Sequence, residues 1–360
     1  MLRDYRNTTN FSPFDKAGGP VEQYSSLSED SLTDKDYDYH LPVLYRETLE
    51  ALEINKDGCY LDGTMGGGGH SAGILEKLSC QGRLICLDKD EMAIEAGRAK
   101  LETVHTEARY DIVRSDFADF DKVLAELNVN KLDGAILDIG VSSAQVDEAE
   151  RGFSYMQDGP LDMRMDRRQR MTAAEILNNY PELELKRIFS QYGEERYSGR
   201  IASAVVRDRR TSAFTTTKDF VDCLISAIPS KARREKQHPA KRCFQALRIE
   251  VNGELRQLEK FLEQIPKYMK AGGRLAVISF HSLEDRIVKQ AYRSWENPGF
   301  DSKLMGLPPL EEKSIGKAIP RKGITAGEKE LEQNPRARSA RLRVFEFREE
   351  VGEWHTQEEI

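Results

Sequence analysis

A glycine-rich segment between a predicted strand and a predicted helix carries the clearest chemical signal in the sequence. It runs from Leu61 to Ala72 and reads Leu-Asp-Gly-Thr-Met-Gly-Gly-Gly-Gly-His-Ser-Ala. Glycines let a backbone approach a ligand closely, and the amino end of a helix offers unpaired N–H groups. Roughly 20 residues further on, Asp88 ends the second predicted strand, where a carboxylate can accept hydrogen bonds from both ribose hydroxyls of an adenosine. The two features predict a cofactor of the nucleotide type.

Two cofactors fit this segment, and Asp62 bears on the choice between them. The spacing Gly67-x-Gly69-x-x-Ala72 satisfies the relaxed dinucleotide fingerprint, so a nicotinamide dehydrogenase stays open on the loop alone. A carboxylate at the end of the first strand would repel a pyrophosphate, whereas it suits the sulfonium and α-amino group of S-adenosylmethionine. The sequence therefore favours S-adenosylmethionine. Phe117 is predicted to cap its adenine, with ordinary core packing as the alternative.

A further carboxylate closes the fourth predicted strand and is placed to face a methyl acceptor. The segment Leu137-Asp-Ile-Gly-Val-Ser-Ser143 reaches the carboxyl edge of the sheet, where open α/β folds bind ligands. The lone pair of an exocyclic amine on an aromatic ring is delocalised into the ring, so an enzyme that methylates one must draw its hydrogens into acceptors and hold the reacting atoms in line. Asp138 is the predicted acceptor, with a turn cap as the alternative. Ser142 and Ser143 are predicted to face the substrate.

His281 is the other candidate for proton transfer. It lies in Ser279-Phe-His-Ser-Leu-Glu-Asp-Arg286, after the fifth predicted strand and on the same sheet edge as Asp138. We expect it to face the acceptor base and take a proton, although a histidine at a strand end is more often structural. Methylation at carbon 5 of a pyrimidine would need a cysteine nucleophile in a strand-end loop, and none of the five cysteines fits well. The Asn/Asp-Pro-Pro-aromatic tetrapeptide of DNA amino-methyltransferases is absent from the sequence.

The elements that must position these groups are short apolar runs that alternate with helical patterns from His40 onward. This alternation is typical of an α/β fold with a parallel, doubly wound sheet. Strands are predicted at residues 60–61, 83–87, 111–113, 134–137 and 274–279. A last strand, 341–347, alternates as an edge or antiparallel strand does. A long amphipathic helix is predicted over 241–269, stopped by Gly272-Gly273.

The strand pattern disappears in the middle of the chain, which predicts a division into domains. Helix patterns replace strands over residues 147–238, so we expect an inserted helical domain that helps to hold the substrate. The sheet domain then consists of two parts, 39–146 and 239–348. Residues 1–38 are mostly polar and predict a disordered acidic extension, since residues 1–40 hold eight acids and four bases. Residues 349–360 form the remaining tail.

Composition excludes several classes of protein. No apolar run approaches the roughly 20 residues of a membrane span, and the plan of a signal peptide is missing, so we expect a cytoplasmic protein that binds no membrane. Five cysteines without a CxxC spacing argue against a disulfide framework, a zinc ribbon or an iron–sulfur cluster, and no metal is predicted. The net charge of −7 means that local basic clusters must carry any attraction to phosphates.

Three basic stretches could follow a nucleic-acid backbone, although each alone is more often a solvated surface. They cover residues 164–170, 231–242 and 336–343. Their placement in and beside the predicted insert suggests a channel between the two domains. The residues predicted to contact RNA are Arg164, Lys241, Arg242, Arg336 and Arg338.

Ordered motifs along most of the chain point to one family. They include His40-x-Pro-Val-Leu44 and the segments Asp62–Ser71, Leu137–Ser143, Glu150–Ser154, Gly159–Asp166, Tyr192–Arg196, His238–Arg242, Ser279–Arg286 and Asn334–Ser339. On these motifs the chain resembles the bacterial ribosomal RNA small-subunit methyltransferase H family. The resemblance implies a class I (Rossmann-like) S-adenosylmethionine methyltransferase sheet with a helical insert. It implies N4-methylation of a specific cytidine in the decoding region of 16S ribosomal RNA, in the small subunit or a late assembly particle.

By position in the motifs, the resemblance also assigns cofactor contacts. These fall on Gly68, Gly69, His70, Asp88, Phe117, Asp138 and Gln145. For two of them the residues alone suggest other roles: His70 as a helix cap and Gln145 as a solvated side chain. The N-terminal extension departs from the family, whose members usually begin just before the position of His40. A homodimer is left open, as is a cofactor-binding RNA chaperone without turnover.

Overall fold

The computed structural model describes residues 42–348, apart from 232, 234–237 and 300–312. The predicted extension, 1–38, and the predicted tail, 349–360, lie outside these described residues. Within the described ranges, no helix is long and apolar enough to cross a membrane.

One mixed sheet of seven strands organises the described chain. The strands are β1 (Cys59–Asp62), β2 (Arg83–Asp88), β3 (Arg109–Arg114), β4 (Leu132–Asp138), β5 (Met269–Ser279), β6 (Gly316–Ala318) and β7 (Arg341–Phe347). Their order in the sheet is β3-β2-β1-β4-β5-β7-β6. The first five strands run parallel, whereas β7 runs antiparallel to both of its neighbours. This is the topology of a class I methyltransferase sheet and confirms the predicted fold class. The strand order reverses between β1 and β4, where such sheets bind ligands.

Helices cover both faces of the sheet, so its strands are apolar on both sides. The flanking helices are α1 (Tyr45–Ala51), α2 (Gly69–Leu75), α3 (Glu91–Glu102), α4 (Phe120–Glu126), α11 (Glu254–Gln264) and α12 (Ser282–Glu296), and a short helix before β7, α13 (Glu328–Gln333), has no buried residue. Alternate residues of each strand enter different cores: Leu84 and Cys86 pack with α1 and α2, and Ile85 and Leu87 with α4 and α12. Burial on both faces explains why these strands appear in the sequence as continuous apolar runs.

Helices make up the chain between β4 and β5 in the described residues. They are α5 (Ser143–Asp147), α6 (Ala173–Asn179), α7 (Glu182–Gln191), α8 (Ser198–Asp208), α9 (Thr217–Ala227), α10 (Ala240–Asn252) and α11 (Glu254–Gln264). Buried residues from Phe153 to Val251 form a third hydrophobic core here, separate from the two sheet cores. Because this core extends into α10, past residue 238, the bounds of the inserted domain stay a prediction.

Two details correct the sequence analysis. The single helix over 241–269 is wrong, because Gly253 takes a positive φ of 64° and separates α10 from α11. Gly272-Gly273 does not precede the fifth strand but lies inside it, where the pairing with β4 shifts register. The antiparallel direction of β7 is confirmed. However, β7 is not the edge strand, because β6, with only three residues, pairs beyond it.

Candidate active site

Asp62 closes β1 and lies buried beside the first turn of α2. Its Oδ2 accepts a hydrogen bond from Ser71 Oγ at 2.6 Å, and its Oδ1 accepts one from the backbone N–H of Thr64 at 3.1 Å. Burial raises the pKa of Asp62 to about 6, since the ionised carboxylate has lost its hydration. A cation nearby would stabilise this charge, which is the environment that a sulfonium or an ammonium group requires.

The glycines at the start of α2 are required by packing within the protein itself. Gly68 has a φ of 79°, and a Cβ there would lie 3.0 Å from the backbone of Gly97. A Cβ on Gly69 would overlap Pro42. The absence of side chains at these two positions lets the loop lie close to α3 and to the chain before α1. The predicted cofactor contacts of both residues stay predictions, and side chains at either position would displace the loop.

Asp88 closes β2 and connects it to the glycine loop. Its Oδ2 accepts a hydrogen bond from the backbone N–H of Gly66, and its Oδ1 accepts one from the backbone N–H of Asp90, both at 2.9 Å. Burial raises the pKa of Asp88. Carboxylate oxygens can each accept more than one hydrogen bond, so this arrangement leaves capacity for the two ribose hydroxyls.

Asp90 in turn joins two residues of the chain that follows β4. Its Oδ2 accepts hydrogen bonds from Gln145 Nε2 at 2.7 Å and from Arg151 Nη2 at 2.6 Å. Gln145 Oε1 also accepts from the backbone N–H of Ser142, which caps α5. Gln145 is therefore buried rather than solvated. A contact between Gln145 and the cofactor stays a prediction.

Asp138 closes β4 at the switch point, between the ends of β1 and β5. Its backbone N–H donates to Thr64 Oγ1 at 2.6 Å, and its Oδ2 lies 3.7 Å from His70 Nδ1. Its Oδ1 is shielded from solvent and has no hydrogen-bond partner in the described part of the chain. Burial and the charges of Asp62 and Glu284 raise the pKa of Asp138 to about 8. The helix that follows is capped by Ser142, which speaks against a capping role for this carboxylate.

His70 stands beside this carboxylate as a neutral imidazole. Burial lowers its pKa to about 4 because the imidazolium would lose its hydration. Its ring lies 6.0 Å from the ring of Tyr45. It does not cap α2, since the N-cap of that helix is Gly68, without a side-chain hydrogen bond. His70 is therefore placed at the site, while its contact with the cofactor stays a prediction.

His281 caps α12, and both of its ring nitrogens face Glu284. Nδ1 accepts a hydrogen bond from the backbone N–H of Glu284 at 3.4 Å, and Nε2 lies 2.9 Å from Glu284 Oε1. Glu284 Oε2 accepts from the backbone N–H groups of Phe280 and His281. The capping box thus engages Nδ1 of the predicted proton acceptor, while Nε2 and Glu284 Oε1 have no hydrogen-bond partner among the described residues.

A positively charged side chain lies next to this capping box. Glu254, His281 and Glu284 bring three possible metal-ligand atoms within 4.8 Å of one another. However, Arg248 donates to both carboxylate oxygens of Glu254 at 2.9 and 2.8 Å, and its Nη2 lies 3.9 Å from Glu284 Oε1. The guanidinium supplies the charge that these carboxylates need, so the group carries no argument for a metal ion.

Phe117 lies in the short segment that follows β3. Its ring packs edge-to-face on Phe261 with centroids 5.9 Å apart, and the residue is buried. Asp116, just before it, forms an ion pair with Lys89 at 3.1 Å. Core packing by Phe117 is therefore observed, and contact with an adenine stays a prediction.

The predicted RNA contacts differ in how fully they are engaged within the protein. The Arg164 guanidinium forms two hydrogen bonds with Asp162, at 2.6 and 2.9 Å, and Arg336 donates to Asp147 at 3.0 Å. Arg242 lies 3.9 Å from Glu195. Lys241 and Arg338 are exposed and form no ion pair with the described residues. Of the two predicted serines, Ser142 caps α5, and the side chain of Ser143 lies outside what the structure describes.

The arrangement fits S-adenosylmethionine better than a dinucleotide. Asp62 and Asp138 place one buried and one half-buried carboxylate at the ends of β1 and β4, where they would repel a pyrophosphate. The unpartnered Oδ1 of Asp138 offers an acceptor that nothing in the described chain uses. Asp88, at the end of the neighbouring β2, is placed to hold a ribose.

Comparison with known proteins agrees with this geometry. Residues 38–348 match the model of the MraW methylase family. The chain belongs to this family. The proteins named ribosomal RNA small subunit methyltransferase H from Heliobacterium mobile and Acetivibrio thermocellus are 52% and 49% identical to it. Each match covers 85% of this chain and 98% of the relative.

Family membership confirms the prediction of a methyltransferase that uses S-adenosylmethionine, and the dehydrogenase alternative falls away. Among solved structures, an rRNA methylase from Streptococcus thermophilus is similar with a TM-score of 0.36 and 11% identity, covering 84% of this chain and 93% of that one.

Sequence reasoning missed the residues that hold the predicted ones in place. They are Thr64, Ser71, Asp90, Arg151 and Glu284. Two of them left a signal: Asp90 stands two residues after Asp88, and Glu284 stands three residues after His281, the spacing of a capping box. The others act through contacts that no local pattern reveals.

Proposed function

We propose that this chain transfers a methyl group from S-adenosylmethionine to N4 of a specific cytidine in the decoding region of 16S ribosomal RNA. The observation that carries the proposal is the Asp138 carboxylate at the switch point, with one shielded and unpartnered oxygen. An exocyclic amine presents the N–H groups that such an oxygen can accept. The relatives at about half identity are named for methylation of the same class of RNA.

The proposed chemistry relies on positioning. When bound, S-adenosylmethionine supplies an electrophilic methyl carbon on its sulfonium. Asp62, Asp88 and Gln145 hold the cofactor, and Asp138 draws the amine hydrogens away so that the nitrogen lone pair can face that carbon. The sequence predicts His281 as the proton acceptor, whereas its capping contacts with Glu284 favour a structural role, with solvent taking the proton. No covalent intermediate is required.

The substrate side of the proposal rests on charge. Lys241 and Arg338 are exposed and without an ion pair in the described chain, so they are available to phosphates. We propose that the helical segment after β4 holds 16S ribosomal RNA, either in the small subunit or in a late assembly particle. A cytoplasmic location is part of the proposal, whereas a homodimer is left open.

The test is methyl transfer followed by mass mapping. Small subunits from cells that lack this protein would be incubated with it and labelled S-adenosylmethionine, and the RNA would then be digested and mapped. We expect one labelled cytidine in the decoding region, carrying the methyl group on N4. The D138N variant, which keeps the size of the side chain, serves as the control and should transfer little label. Label on another base, or binding without transfer, would overturn the proposal.

A further inference from the structure

Arg151 is a deeply buried charged side chain in the described chain that the proposed chemistry does not use. Only 1% of the residue is exposed. Its Nη2 lies 2.6 Å from Asp90 Oδ2, and Asp90 is itself buried. A buried ion pair is costly to build and contributes little net stability, so its presence calls for another explanation.

One end of this ion pair reaches the proposed ribose site. Asp90 donates its backbone N–H to Oδ1 of Asp88, and Asp88 Oδ2 accepts from the backbone N–H of Gly66 in the glycine loop. Asp90 Oδ1 also caps α3 by accepting from the N–H of Met92. The backbone of Asp90 therefore helps to set where the Asp88 carboxylate lies, and the contacts of the Asp90 side chain hold that backbone in place.

The other end of the ion pair holds the chain that follows β4. Arg151 Nη2 donates to the backbone carbonyl of Arg164 at 3.0 Å, and its guanidinium lies 5.7 Å from the ring centre of Phe153 in the helical core. The Asp90 carboxylate also accepts a hydrogen bond from the side chain of Gln145, which belongs to the same stretch of chain. One guanidinium thus joins the loop after β2 to the start of the helical segment.

We propose that Arg151 is a positioning residue for the S-adenosylmethionine site, acting through Asp90 on the ribose acceptor Asp88. The inference rests on the proposed function, because it assumes that Asp88 holds the cofactor ribose. Without the guanidinium, Asp90 is left as a buried charge with one fewer donor, and its carboxylate must turn toward water. That movement disturbs the N–H contact that fixes Asp88.

The experiment measures cofactor binding directly. Isothermal titration of the full chain with S-adenosylmethionine gives a Kd that does not depend on RNA or turnover. For R151M we expect a Kd raised about 10- to 100-fold, by analogy with the loss of residues that orient metal ligands. R151K keeps the charge but not the planar fork, so we expect a smaller rise.

Arg274 provides a matched control at the opposite end of the sheet. It is also largely buried, and it donates to Glu346 and to the carbonyl of Ala51, each at 2.8 Å. R274M should lower the melting temperature as R151M does and leave the Kd for S-adenosylmethionine unchanged. With RNA present, R151M should raise the KM for S-adenosylmethionine, while kcat at saturating cofactor stays within about twofold.

The outcomes separate this inference from the proposed function. If the wild-type chain binds no S-adenosylmethionine, the proposed function fails. If it binds and methylates while R151M or R151K keeps the wild-type Kd at a lowered melting temperature, Arg151 is only structural and the inference is wrong. Should R151M fail to fold, the R151K titration alone decides between these results.

Discussion

At the scale of single residues, the ionisation of Asp138 should determine how kcat/KM depends on pH, because that ratio reports the ionisation of the free enzyme. Burial and neighbouring carboxylates raise its pKa to about 8. The ionised carboxylate accepts hydrogens from an amine far more strongly than the neutral acid, so kcat/KM should rise about tenfold per pH unit below pH 8 and level off above it. Since a cationic cofactor stabilises the carboxylate, the kcat profile should level off at a lower pH. Steady-state rates between pH 6 and 9 would check both profiles.

Two variants test whether the ionisation of Asp138 causes the pH dependence of kcat/KM. D138N cannot ionise, so it should lose the rise with pH and about 100-fold or more in kcat. E284Q removes one of the negative charges that raise the pKa of Asp138, so its kcat/KM profile should level off at a lower pH than that of the wild type. A wild-type profile that stays flat over this range would contradict the role of Asp138.

The role of His281 is decided by comparing two substitutions. Asparagine can cap α12 in its place, whereas alanine cannot. From the contacts with Glu284 we expect H281N to keep stability and most of its turnover, and H281A to lose about 1 kcal/mol of unfolding free energy. Urea denaturation and initial rates measure the two effects. A loss of 100-fold or more in turnover by both variants, at unchanged stability, would establish proton acceptance instead.

At the scale of elements, the break between α10 and α11 lets the two helices pack in different hydrophobic cores. Phe244 and Leu247 of α10 pack in the helical core, and Leu258 and Phe261 of α11 pack against the sheet. The apolar spacing continues through both helices, so the sequence predicts one element. The dipeptide Asn252-Gly253 is a turn signal, but the continuous apolar spacing favours a single helix in the sequence-based prediction.

Substitution of Gly253 should measure the cost of that break. With φ at 64°, a side chain here is strained, so G253A should lower the unfolding free energy by about 1 kcal/mol. Gly199 in α8 is the matched control, because a Cβ there would meet only the Lys186 side chain at 3.9 Å. G199A should be neutral or stabilise the chain by up to about 1 kcal/mol, since alanine favours helix. Equal effects of both substitutions in urea denaturation would contradict this account.

The site shows which features a sequence can reveal. Asp62, Asp88 and Asp138 were found because each follows an apolar run, and parallel strands bring their carboxyl ends to one edge. Arg151 and Asp90 are 61 residues apart, and their contact depends on how the helical segment folds back. Nor could the glycine loop reveal that Gly69 serves to accommodate Pro42. Long-range contacts between side chains leave no periodic pattern.

At the scale of the whole molecule, the net charge of −7 must be reconciled with a polyanionic substrate. Several arginines in the predicted basic stretches already face acids of the same chain, including Arg164 with Asp162 and Arg168 with Asp166. These arginine charges are largely neutralised by ion pairs within the protein. The attraction for RNA should therefore come from a small number of exposed cations, and its salt dependence should be modest for the size of the protein.

Lys241 and Arg338 are the cations with which to test this expectation. Each contact with a single-stranded phosphate contributes about 0.7 to the slope of log affinity against log salt, so K241A and R338A should each reduce the slope by about that amount. R164A should leave the slope nearly unchanged and lower stability, because Arg164 also donates to the carbonyl of Gln169. Binding of a decoding-region fragment at several salt concentrations measures all three. If R164A lowered the slope as K241A does, Arg164 would contact phosphate despite its partners, and the charges of segment 164–170 would belong to the RNA surface.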